Sequence, residues 1–99
     1  MSWKVKIHPL VLKEDFRKID PPEVRKIIRI IEEKLTSSPK EYGSPLLGPF
    51  KHYWKLRVGH YRVIYEIVEE KVLVLVVKVG IRRDFEVYKE FLSRIKKLS

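Results

Sequence analysis

Two alternating runs, Tyr53–Val58 and Tyr61–Val68, are separated only by Gly59-His60, a spacing that predicts a β-hairpin in the middle of the chain. Glycine at the first turn position suits a type II′ turn, which pairs Val58 with Tyr61 and Arg57 with Arg62. Side chains alternate across a strand, so Trp54, Leu56, Val58, Tyr61, Val63 and Tyr65 share a core face. Lys55, Arg57 and Arg62 fall together on the opposite, exposed face. Like charges directly opposed cost a sheet pair on the order of a few tenths of a kcal/mol or more. A phosphate lying over them would remove that cost, so the face reads as an anion-binding surface.

The rest of the chain is organised around this hairpin. Trp3 to His8 alternates apolar and basic residues as a half-buried strand does. Leu12, Phe16 and Ile19 then recur at helical spacing. Asp20-Pro21-Pro22-Glu23 reads as a helix start, with Asp20 as cap and Glu23 placed as in a capping box. The helix behind it gathers Val24, Ile27, Ile28, Ile31 and Leu35 on one face. Thr36 to Phe50, rich in Pro and Gly, reads as a loop, and its Gly43-to-Gly48 stretch lacks the lysine and following helix of a phosphate-binding loop. A third strand over Lys71–Val79 follows the poor turn residues Glu69-Glu70 and closes at Gly80. Asp84 is placed to cap a last helix with Val87, Tyr88, Phe91, Leu92 and Ile95 on its apolar side. The expected fold is α+β in the order β-α-α-β-β-β-α: two N-terminal helices and a C-terminal helix on a mainly antiparallel four-stranded sheet, one domain spanning 1–99.

Charge and composition narrow the function. Twenty-two Lys and Arg against 13 acidic residues give a formal charge of +9, which favours a polyanionic partner. The absence of Cys excludes disulfides, zinc–thiolate sites and thiol catalysis. No two histidines have ligand spacing and no carboxylate pair stands out, so neither metal nor cofactor is expected. No apolar run approaches the roughly 20 residues that span a bilayer, and no signal peptide is evident, so a cytoplasmic protein without membrane association is expected. The lack of Asn, Gln and Cys beside many Lys, Glu and Ile suggests a thermophilic source.

The run from Leu46 to Tyr88 resembles the RelE/ParE toxin superfamily. The resemblance is carried by Gly48, by Tyr53-Trp-Lys-Leu-Arg-Val-Gly-His-Tyr-Arg-Val-Ile-Tyr-Glu-Ile67, and by Lys78-Val-Gly-Ile-Arg-Arg-Asp-Phe-Glu-Val-Tyr88. It implies the toxin half of a toxin–antitoxin pair, which enters the ribosomal A site and cuts mRNA through the RNA's own 2′-hydroxyl without metal. It also implies catalytic roles for Lys55, Arg62, Arg82 and Tyr88. At the position where the RelE archetype carries a further lysine, two residues before Lys55, this chain has Tyr53.

Such a cut requires removal of the 2′ proton, stabilisation of a phosphorane, and neutralisation of the departing 5′-oxygen. Lys55, crowded by Arg57 and Arg62, is the candidate base. Arg62 and Arg82 offer rigid forks of donors to phosphate oxygens. Tyr88 either stacks on a base, orients the hydroxyl or joins Lys55 in proton transfer, unless it is a core residue. Lys51, Arg57, Arg83 and His60 are the candidate RNA contacts, and His52 and His60 are acid–base candidates by type. The expected partners are ribosome, mRNA and a RelB-like antitoxin whose amphipathic segment docks in grooves flanking the first two helices, giving a toxin–antitoxin hetero-oligomer. Two alternatives share the scaffold: a ParE-like toxin that inhibits DNA gyrase without cutting, and an inactive RNA- or protein-binding relative.

Overall fold

The computed structural model describes residues 2–46, 52–81 and 83–98, the side chains of Asp84 and Phe85 excepted. Strand β1 (Lys4–Ile7) leads into a π-helical turn (Val11–Asp15) and a 3₁₀ turn (Phe16–Lys18). Helix α1 (Pro21–Leu35), the short helix α2 (Pro39–Tyr42) and the two-residue strand β2 (Ser44–Pro45) follow. Strands β3 (Tyr53–Val58), β4 (Tyr61–Val68) and β5 (Leu73–Gly80) then lead to helix α3 (Asp84–Arg94).

The sheet has five strands in the order β1-β5-β4-β3-β2. It is mixed, because β1 runs parallel to β5 while the other pairs are antiparallel. The expected four-stranded sheet is therefore corrected. Ser44-Pro45 is too short to show alternation, yet it pairs with Lys55 and Trp54, and its proline is tolerated because β2 is an edge strand. The Thr36–Phe50 segment is likewise not all loop, since it also contains α2.

The hairpin follows expectation. Val58 faces Tyr61, Arg57 faces Arg62, and Gly59 has φ +57°, the conformation a type II′ turn requires at its first position. The next junction is irregular: Glu69–Lys71 forms a 3₁₀ turn and Val72 is left-handed at φ 49°, delaying β5 to Leu73.

Three helix expectations are also corrected. Around Leu12 to Ile19 there is no regular helix; the wide turn brings Val11, Asp15 and Phe16 inward together, burying a carboxylate among apolar neighbours. Asp20 holds the cap position of α1, but its side chain makes no capping bond. Helix α3 starts at Asp84 itself, with Arg83 in the cap position, and Leu92 is exposed instead of facing the core.

Both faces of the sheet are covered. One buries Leu56, Val63, Tyr65 and Val76 against α1 residues Ile27 and Ile31. The other packs Leu46, Ile64 and Val77 against Val87 and Phe91 of α3. A register shift between Ile64 and Tyr65 leaves Val77 of β5 unpaired with β4; Val77 joins the α3 cluster, and Lys78 follows it into a buried position.

Lys78 is buried because it has partners. Asp15 Oδ1 receives its Nζ at 3.1 Å, and Glu90 Oε1 lies 3.1 Å away. Asp15 also accepts the Val79 N–H at 2.8 Å and both guanidinium nitrogens of Arg94. Burial opposes charge on Arg94, but hydrogen bonds and attraction from Asp15 and Glu14 outweigh it and hold its pKa above the ordinary value. This cluster ties α3 to β5 and to the N-terminal turn. Among the described residues no helix is long and apolar enough to cross a membrane.

Candidate active site

The α3 side of the sheet carries the site. Lys55 on β3 pairs with Ile64, and Arg62 on β4 lies between Arg57 of β3 and Gly80 of β5. Because α3 packs on this same side, the cations do not stand on an open face as the alternation alone suggested. They line the foot of a cleft. Arg62 Nη1 turns back toward the hairpin turn, donating to the Tyr61 carbonyl at 3.2 Å and, more weakly, to that of Gly59 at 3.4 Å.

Lys55 and Arg62 border two adjoining cavities. The first, of about 270 Å³, is closed by Pro45, Leu46, Ile64, Val87 and Tyr88. Its wall is mostly apolar, which lowers the local dielectric and strengthens the field of the cations on any bound anion. The second, of about 240 Å³, is polar and is completed by Tyr42, Ser44 and Arg57. Three of the four expected catalytic residues, Lys55, Arg62 and Tyr88, thus meet at one cavity, and Arg57 meets two of them at its neighbour. Tyr88 is only partly buried, packed against the α3 cluster while lining the cavity.

The other expected residues do not join them. Arg82 and Lys51 lie outside the described residues. His60 and Arg83 are exposed and line neither cavity. His52 opens instead on a separate hollow with Lys40, Trp54 and Ile67, none of which lines either cavity. Among the described residues no group of three His, Asp or Glu side chains converges to hold a metal.

Tyr53 is a packing residue. Its ring meets Phe91 of α3 edge-on, with centroids 4.8 Å apart and planes at 61°. Burial, and then the nearby Glu66 carboxylate, raise its phenol pKa above the ordinary value, so it stays neutral. The tyrosine standing where a lysine was expected seats the helix that delivers Tyr88.

Residue patterns had not indicated Pro45, Leu46, Tyr42 or Ser44 as site residues. They belong to a segment whose Pro and Gly content signals loop, and only the pairing of β2 with β3 brings them beside Lys55.

Comparisons with known proteins place the chain in a family. Residues 5–84 match the family described as ParE toxin of the type II toxin–antitoxin system parDE. The chain is 38% identical over 72 residues to the mRNA interferase toxin RelE of Escherichia coli (strain K12), covering 72% of this chain and 70% of that protein. It superposes with a TM-score of 0.76 and 24% identity on the toxin–antitoxin complex RelBE2 of Mycobacterium tuberculosis, covering 85% of this chain and 95% of the other. An E. coli RelE mutant in complex with an antitoxin RelBc peptide matches with a TM-score of 0.64 and 30% identity, over 92% of this chain and 95% of that one. On its matched length and its identity to RelE, this chain belongs to the RelE/ParE toxin family of type II toxin–antitoxin systems.

Proposed function

We propose that the chain is a RelE-type mRNA interferase, an endoribonuclease that cuts mRNA in the ribosomal A site in the cytoplasm and is neutralised by a RelB-like antitoxin. The observation that carries this reading is the meeting of Lys55, Arg62 and Tyr88 around one cavity. The relative named mRNA interferase supports the activity, and the RelE–antitoxin complex supports the partner.

In this reading the 2′-oxygen of the message attacks the adjacent phosphorus and the P–O5′ bond breaks, leaving a 2′,3′-cyclic phosphate and a 5′-hydroxyl. Lys55 takes the 2′ proton, Arg62 holds the phosphate oxygens as charge builds, and Tyr88 orients the nucleotide against the apolar wall. Arg82 is assigned to the departing 5′-oxygen, where the guanidinium stabilises the charge while water supplies the proton that completes the 5′-hydroxyl. No metal enters the scheme. Holding the message in line is left to the ribosome, and positioning of this kind is worth several kcal/mol.

The antitoxin reading has its own support. An apolar groove of about 300 Å³ lies between the N-terminal turns and α1, lined by Leu12, Phe16, Ile19, Pro21 and Val24 and rimmed by Arg17 and Arg25. It suits an acidic amphipathic helix.

A ParE-like gyrase inhibitor is the second reading, favoured by the family description that matches residues 5–84. Mapping mRNA cuts in a translating extract separates the two. Wild type should cut, and Lys55→Ala, Arg62→Ala and Tyr88→Ala should each lose about 10²-fold or more. Intact message beside inhibited gyrase would overturn the nuclease reading.

A further inference from the structure

The geometry points to a second RNA subsite, in which the Tyr42 ring stacks a nucleobase next to the cut while Arg57 and the Ser44 hydroxyl hold the adjoining phosphate. It rests on the reading of Lys55 and Arg62 as the cutting centre, and extends it to the polar cavity on their other side.

Three observations carry it. First, the cavity formed by Tyr42, Ser44, Lys55, Arg57 and Arg62 shares both cations with the apolar one, so a single strand crossing the ridge between them would touch both. Three cations and the Ser44 hydroxyl suit a phosphodiester, and among the described residues no carboxylate lines this cavity.

Second, Tyr42 is 51% exposed, although an aromatic of its size normally finds cover. The Lys34 ammonium lies over its ring, 5.3 Å from the centroid, which adds positive potential and restrains the ring's orientation. An oriented, solvent-facing ring beside a cationic groove is the arrangement that stacks single-stranded bases. Tyr88 and Tyr42 then bracket the cation pair, one at each cavity.

Third, the segment bearing Tyr42 and Ser44 is fixed to the sheet. The buried Tyr65 hydroxyl donates to the Pro39 carbonyl at 2.7 Å, and the Leu46 N–H donates to the Tyr53 carbonyl at 2.9 Å. Between these anchors Gly43 packs so closely that a Cβ there would overlap the Tyr65 hydroxyl and come 2.8 Å from the Lys55 carbonyl oxygen. The platform is therefore preorganised relative to Lys55 and costs little ordering when RNA binds.

The test uses the full chain, a short RNA with a 2′-deoxy residue at the cut position, and cut mapping in the translating extract. Tyr42→Ala should weaken binding of the RNA about tenfold and alter the base preference beside the cut, whereas Tyr42→Phe should leave both unchanged. Arg57→Ala should lower the salt dependence of binding by about one phosphate contact, and Ser44→Ala should weaken binding without changing that dependence. Unchanged affinity and unchanged cut pattern in Tyr42→Ala, with wild type still cutting, would overturn the subsite and leave the nuclease reading intact. If wild type cuts nothing, the nuclease reading fails and the subsite beside the cut fails with it.

Discussion

Arg94 grips Asp15 with both arms: Nη1 to Oδ2 and Nη2 to Oδ1 are each 2.7 Å, in a position where both side chains are nearly sealed from water. A buried ion pair is modest in net stabilisation, but removing Arg94 takes two charged hydrogen bonds from buried Asp15 and leaves it only Lys78 and the Val79 N–H. Arg94→Ala should therefore destabilise the protein by about 3–5 kcal/mol, read from urea unfolding. Arg94→Lys, which keeps a positive charge beside Asp15 but gives up the two-armed grip, should lose clearly less than Arg94→Ala; an equal loss would refute the account.

Tyr53 should matter to stability and not to the chemical step. Tyr53→Phe keeps the edge-on contact with Phe91 and should change neither stability nor cleavage by a measurable amount. Tyr53→Ala should cost about 2 kcal/mol, less than a fully buried aromatic because the ring is partly exposed. Loss of cleavage in Tyr53→Phe with unchanged unfolding would show the hydroxyl taking part in the reaction.

The Tyr65 hydroxyl predicts an alkaline limit. Burial raises its pKa well above the ordinary 10.0, so the folded protein keeps the phenol protonated where the unfolded chain has begun to ionise. The stability this contributes is fully present below pH 10 and falls as pH rises beyond it. Tyr65→Phe should flatten that fall while lowering stability at pH 7 by about 1–2 kcal/mol, since the Pro39 carbonyl loses its donor. Thermal unfolding across pH 7 to 11, about the window in which an unfolded tyrosine ionises, provides the check.

Leu12 is the residue to change at the apolar groove. It is 51% exposed, so Leu12→Asp should leave unfolding nearly unchanged. It should weaken the antitoxin at least tenfold in a titration, as expected when one well-placed anchor is lost from an interface. Unaltered affinity would move the antitoxin elsewhere on the toxin.

How far the amino-acid order foretold this structure depended on the range of the signal. The hairpin was legible to the residue, including the Arg57–Arg62 pairing and the shared side of Lys55, because strand period and turn chemistry act over a few neighbours. The parallel pairing of β1 with β5 was not, since nothing local in Lys4–Ile7 specifies which edge it joins. Ser44-Pro45 escaped because two residues cannot show a period. The Asp15–Lys78–Arg94 cluster escaped for a different reason. Its members are 63 and 79 residues apart, and each charge taken alone looks like surface. At the site, strand alternation alone put Lys55 and Arg62 on one face, whereas their catalytic roles and the place of Tyr88 came from the family resemblance, because no spacing ties α3 to the hairpin. Tyr42 had no signal at all, because an exposed aromatic in a Pro- and Gly-rich stretch looks like any loop residue.

One contact made by Asp15 has a consequence for how the molecule meets copies of itself. Where β1 ends, the border of β5 would offer the Val79 N–H to an incoming strand, but the carboxylate already occupies it. The opposite border is β2, only two residues long and ending in proline. At the β1 border, Lys4 and Lys6 stand exposed and would face the same charges on a second copy. Each of these devices works against pairing the sheet of one copy with that of another.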